Sequence, residues 1–169
     1  MRRAPALLWL VLAAAPAAAA TFVTTSIEEA ARSSEAVVRG RVLSTAARVT
    51  DDGRRVVTEV ELAVESAWKG APGTTVRLVV PGGTTPTLAM WVDAAPTFEP
   101  GEEVVVFLGR QGSAWRVMGH ALGKYRVKGA EALPAVSHDE VLPRALPPGE
   151  RAAGAMPVAE LERRVRSAR

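Results

Sequence analysis

Residues Arg55–Lys69 read RVVTEVELAVESAWK, and this stretch decides the fold. Val56, Thr58, Val60, Leu62, Val64, Ser66 and Trp68 share one parity, and five of these seven are apolar. Arg55, Val57, Glu59, Glu61, Ala63, Glu65, Ala67 and Lys69 share the other, and five of these eight are charged. Alternation of this kind marks a half-buried antiparallel strand. A straight strand of this length would span about 45 Å at ~3.3 Å per residue, too long for a small domain. The strand is therefore expected to curl, as strands do in small closed barrels.

Upstream, Ala36–Thr45 is a second strand, with Val38, Gly40 and Val42 on one face and Val37, Arg39, Arg41 and Leu43 on the other. Gly40 interrupts it, which points to a bend, a bulge, or a bulky side chain such as Trp68 or Trp115 lying across the backbone. Asp51-Asp52-Gly53 is the turn between the two strands. Before them, Ser26-Ile27-Glu28-Glu29 is a helix start with Ser26 placed to cap and Glu29 three residues on. That helix is expected to end near Ser33 and to pack through Ile27, Ala30 and Ala31.

Downstream, Thr75–Val80 alternates again, and Pro81–Pro86 reads as an irregular loop. Thr87–Asp93 reads as a short edge strand. Glu103–Gly109 is apolar on both faces and should be the central strand. Ala114–His120 and Lys124–Lys128 are expected as the last two strands, followed by an irregular Gly129–Gly154 wrap and a helix over Pro157–Ser167. The Arg163, Arg164 and Arg166 run reads as a solvated helix end. The expected fold is all-β: a small Greek-key OB-like barrel with a short N-terminal helix and a C-terminal helix, a β-sandwich being the alternative. By this reading 1–20 is a signal peptide, 21–128 the OB-like β-barrel domain, and 129–169 the irregular segment and C-terminal helix.

The signal peptide rests on Arg2 and Arg3, the apolar run Leu7–Ala15, Pro16, and small residues up to Ala20. The apolar run is shorter than the ~20 residues that span a bilayer, so no membrane span is expected after cleavage. The chain has 169 residues, 21 basic and 18 acidic, and no Cys. Losing Arg2 and Arg3 leaves 19 basic residues against 18 acidic, which is not the balance of a nucleic-acid binder. The lack of Cys excludes a disulfide scaffold, a thiolate zinc site and a catalytic thiol, so the core alone must hold an exported domain together.

Val37-Val38-Arg39-Gly40-Arg41-Val42, then Trp68-Lys69-Gly70, Pro81-Gly82-Gly83, Gly101-Glu102-Glu103 and Phe107-Leu108 stand in an order that resembles a group of exported bacterial proteins of unknown function. The resemblance runs from Ser26 to Val127 and implies no activity. More remotely the order is similar to the netrin-like OB barrels, which include the tissue inhibitors of metalloproteinases. That similarity implies the barrel only. Those inhibitors present an N-terminal Cys to the protease metal, whereas this mature chain is expected to begin at Thr21 and has no Cys.

Chemistry-bearing residues are sparse. His120 and the His138-Asp139-Glu140 loop show no metal-ligand spacing, and no G-x-S-x-G elbow occurs. Glu59, Glu61 and Glu65 share an outward face, where Arg39, Arg41 or Arg77 on neighbouring strands can offset them. No catalytic residue, cofactor or metal is implied. The candidate binding loop lies within Pro81–Pro100 and carries Gly82, Gly83, Trp91, Asp93 and Phe98. Its two aromatics either face a ligand or plug one end of the barrel. The function expected is an exported, non-enzymatic binding or inhibitory module with a protein partner in the cell envelope or outside the cell. The alternatives are a secreted hydrolase and a structural or accessory envelope protein. Convergent carboxylates or His in a pocket would mark the hydrolase; an exposed patch around Trp91 would mark the binding module.

Overall fold

The computed structural model describes residues 22–136, 141–142 and 144–168. The expected signal peptide and His138, Asp139 and Glu140 lie outside the described residues. Ser26 caps α1 (Ile27–Ser33) by accepting from the Glu29 amide at 2.9 Å. The Glu29 carboxylate does not complete the box; it pairs with Arg144. Ile27 and Ala31 face the core as expected, and Glu28 is buried beside them.

The two long strands are β2 (Ala36–Val49) and β3 (Val56–Lys69), joined by the Asp51–Gly53 turn. β2 runs four residues beyond the expected Thr45, because Arg48 and Val49 still pair with Val57 and Val56. Their register slips three times, passing over Leu43 on β2 and Glu65 and Trp68 on β3. Each slip is a bulge, and bulges bend and twist a strand. They also change which face a side chain takes. Val56, Val60 and Leu62 are buried on the face that the alternation predicts, while Val64, beside the Glu65 slip, is only partly buried. Trp68, itself passed over at the last slip, packs in a different core from Val60 and Leu62.

β4 (Thr75–Pro81) follows, then the two-residue strands β5 (Gly83–Thr84) and β6 (Ala89–Met90), which pair with each other. Gly83–Thr84, expected as irregular loop, is thus half of a miniature hairpin, and the expected Thr87–Asp93 strand shrinks to its other half. β7 (Glu103–Gln111) is the central strand: Val105 and Phe107 point to one core, and Val104, Val106 and Leu108 to the other. β8 (Ala114–Val117) and β9 (Lys124–Lys128) both pair along one edge of β7, on either side of a 3-10 turn at His120–Gly123.

Lys124–Lys128 is not the last strand. β10 (Glu131–Pro134) turns back onto β9, β11 (Val141–Leu142) pairs in parallel with β1 (Phe22–Val23), and β12 (Met156–Pro157) pairs with β10. The Gly129–Gly154 stretch, expected to be irregular, therefore extends the sheet. Its Pro and Gly residues hid the four-residue β10, which lacks a run long enough to show a period. α2 (Val158–Ser167) closes the chain, with Val158, Leu161 and Val165 buried. The molecule is mostly β, with one large sheet and two helices. The main sheet runs β12-β10-β9-β7-β2-β3-β4-β8, with a further pairing of β8 to β7. One core lies between the sheet and the helices, around Phe107, Tyr125 and Leu161; the other is enclosed by β2, β3, β4, β7 and β8, around Leu62, Leu78 and Val106. No helix among the described residues is long and apolar enough to cross a membrane.

Candidate functional site

The segment between β4 and β7 leaves the sheet through Gly82 and Gly83, at φ 91° and 136°. Those values favour glycine, and crowding reinforces the choice. A Cβ on Gly83 would run into the Thr58 hydroxyl and Ala47. Gly82 is held on both sides: its amide donates to Val56 O at 2.8 Å, and Thr58 Oγ1 donates to its carbonyl at 2.8 Å. The β5–β6 turn is tied by Thr85, whose amide and hydroxyl both donate to Leu88 O at 2.9 Å. Farther on, the Ala121 amide donates to Ala94 O at 3.0 Å and pins the loop to the 3-10 turn.

The end of the loop is held by a buried cation. Lys124 is 1% exposed, and its ammonium donates to the Thr97 carbonyl and to both oxygens of Glu102 at 2.9 Å. The same ammonium lies 4.4 Å from the centre of the Phe98 ring. Arg126 Nε donates to Glu102 at 2.7 Å. Burial works against charge on Glu102, but Lys124 and Arg126 outweigh it and hold the carboxyl below its ordinary value. Burial pulls Lys124 down, and Glu102 restores only part of that.

Between these anchors, Trp91 is 85% exposed. Its indole N–H donates to Asp93 Oδ1 at 3.3 Å, and Asp93 is itself exposed. The five candidate residues thus separate by role. Gly82 and Gly83 form the loop's base, Trp91 and Asp93 its display, and Phe98 its inner anchor, packed against the enclosed core. Of the two aromatics, Phe98 packs against a core and Trp91 does not. Lys124 and Glu102 had no counterpart among the candidates. Lys124 shares a parity with Arg126 and Lys128, which reads as an outward face, and its partner is 22 residues away in sequence.

Beside the loop lies a cleft of about 590 Å³. Val80, Pro81, Met90, Val92 and Val117 contribute its apolar surface, Arg55 and Arg116 its cationic groups, and His120 an imidazole. Among the described residues no carboxylate lines it. Among the described residues no three His, Asp or Glu side chains gather as metal ligands would. His120 is exposed, with φ 55°. The outward carboxylates are paired or solvated: Glu59 meets Arg48 at 2.6 Å, Glu65 lies 3.8 Å from Arg39 and 3.7 Å from Arg41, and Glu61 is exposed. Of the C-terminal arginines, Arg163 is exposed, Arg166 pairs with Glu162, and Arg164 reaches the Glu28 carboxylate at 2.7 Å, tying α2 to α1. No protein-family model matches the chain, and no curated protein sequence does.

Proposed function

We propose that this is an exported binding or inhibitory module that engages a partner protein through the Trp91 loop and the cleft beside it. The exposure of Trp91 carries the reading. A large aromatic left in water on a segment fixed at its base, middle and end presents area to a partner at little cost in ordering. Aromatic anchors of this kind dominate protein interfaces. Cleavage of the signal peptide after Ala20 would deliver the chain to the periplasm or beyond it.

The fold proposed for the module is an OB-type barrel, in line with its similarity to netrin-like domains. The pairings support this: β7, β2, β3, β4 and β8 follow one another, and β8 pairs back to β7. In chain order these are the first to fifth strands of a circuit 1-2-3-5-4-1, with the third and fifth parallel. A five-stranded Greek-key barrel has this form.

Immobilised wild-type protein tests the reading against envelope and culture-fluid fractions, beside Trp91→Ala and Leu43→Ala baits. Leu43 is 51% exposed on β2, outside the loop. A partner kept by wild type and Leu43→Ala but lost by Trp91→Ala is the expected result. Identical capture by all three would reject the loop as the binding site.

A further inference from the structure

We infer that the partner lays an acidic segment along the seam between β4 and β8. This rests on the binding reading above and adds the chemistry of what is bound. β4 has seven residues, yet it meets β8 at one position only, Leu78 opposite Trp115. A cleft opens beyond each end of that pairing. One side opens into the cleft lined by Arg55 and Arg116. The other opens into a second cleft of about 450 Å³, lined by Arg77 and Arg110 with Glu61 also in its wall. A single surface roughly 20 Å long, the length of β4 at ~3.3 Å per residue, thus carries two arginines at each end.

Most other described arginines are ion-paired, Arg54 and Arg163 being the exceptions. Nine described arginines lie within 4.0 Å of a carboxylate. Arg55, Arg77, Arg110 and Arg116 form no such ion pair among the described residues. Glu61 faces Arg77 across the β3–β4 register without reaching ion-pair distance. Arg110 is also fixed in place, its guanidinium stacked 3.9 Å above the Trp115 ring centre. Unpaired cations at both ends, with apolar surface from Val80, Pro81 and Val117 in the larger cleft, suit carboxylates that alternate with aliphatic side chains. Arginine's planar fork favours carboxylate. A single-stranded nucleic acid fits less well, since it calls for several exposed stacking aromatics, and Trp91 is the one exposed aromatic among the described large hydrophobics.

The probe is a fluorescein-labelled peptide, Glu-Val-Glu-Val-Glu-Val-Glu-Val, followed by anisotropy beside its Lys-Val counterpart and an oligo-dT of equal length. The acidic peptide should bind tightest, and less tightly as salt screens the contact. Arg77→Glu combined with Arg116→Glu should weaken it about tenfold, the effect of reversing two exposed contacts. Arg163→Glu, an exposed change on α2, should leave it within about twofold. All three sites are exposed, so the variants should keep the wild-type circular dichroism. Equal binding of the acidic and basic peptides, or equal effects of the two variants, would overturn the seam. Tighter binding of oligo-dT would replace it with a nucleic-acid surface. Failure of the acidic peptide while Trp91→Ala still loses the captured partner removes the seam and leaves the binding reading standing. Seam-specific binding with capture indifferent to Trp91 does the reverse.

Discussion

Lys124 is where a single residue matters most. Its ammonium is buried against Glu102, Thr97 and Phe98, so the loop that displays Trp91 ends on a charge withdrawn from water. Removing one partner of a buried pair leaves the other uncompensated. Glu102→Gln should therefore cost about 3 kcal/mol in urea melts at neutral pH. The acid dependence follows from the depressed carboxyl. Its contribution is complete above the ordinary value of 4.5 and drains away as pH falls through the lower folded value. The gap between wild type and Glu102→Gln should narrow in acid; a gap that stays constant to the lowest pH at which both fold would contradict this pairing. None of this network was legible beforehand. Strand alternation assigns each residue a face, but whether a loop from elsewhere in the chain covers that face is a tertiary matter. Trp91 and the Gly82-Gly83 base were legible, because turn glycines and an aromatic without periodic neighbours stand out locally.

At the scale of elements, the alternation of β3 held wherever its pairing stayed in register. It failed beside Glu65 and at Trp68, where the strand slips against β2. Gly40 sits at one of these slips: it pairs with Val64, while Arg39 before it pairs with Ser66. A Cβ there would collide with the Ala63 carbonyl oxygen, so of the reasons expected for Gly40 the bulge holds, and the obstacle is β3 backbone, not a Trp68 or Trp115 ring. Gly40→Val should destabilise the fold by ~1–3 kcal/mol despite valine's higher strand propensity, since backbone yields less readily than a side chain. A neutral result in thermal melts would mean an ordinary straight strand. Leu62→Ala should cost ~2–5 kcal/mol and Glu61→Ala under about 0.5, because Leu62 is fully buried and Glu61 exposed. Equal costs would refute the register. Strand order and the β10 hairpin were beyond such reading, because bulges and short strands leave too little period to follow.

Across the whole molecule, two cores share β7, and each supports one part of the functional reading. The helix-side core gathers α1, α2, β9 and β10 onto Val105 and Phe107, and so fixes the strand from which Lys124 reaches the loop. The enclosed core holds β4 and β8 together at Leu78 and Trp115, with a cleft beyond each end of that pairing. Trp91 stands outside both cores, so burial gives no reason for it, and the proposed binding role would. Site-specific photo-crosslinking tests this most directly. A benzophenone amino acid in place of Trp91, and separately in place of exposed Arg163, is activated in the producing cells, and the adducts are identified by mass spectrometry. The account predicts a discrete protein adduct from position 91 that position 163 does not form. The same adducts from both positions, or none from position 91, would contradict it.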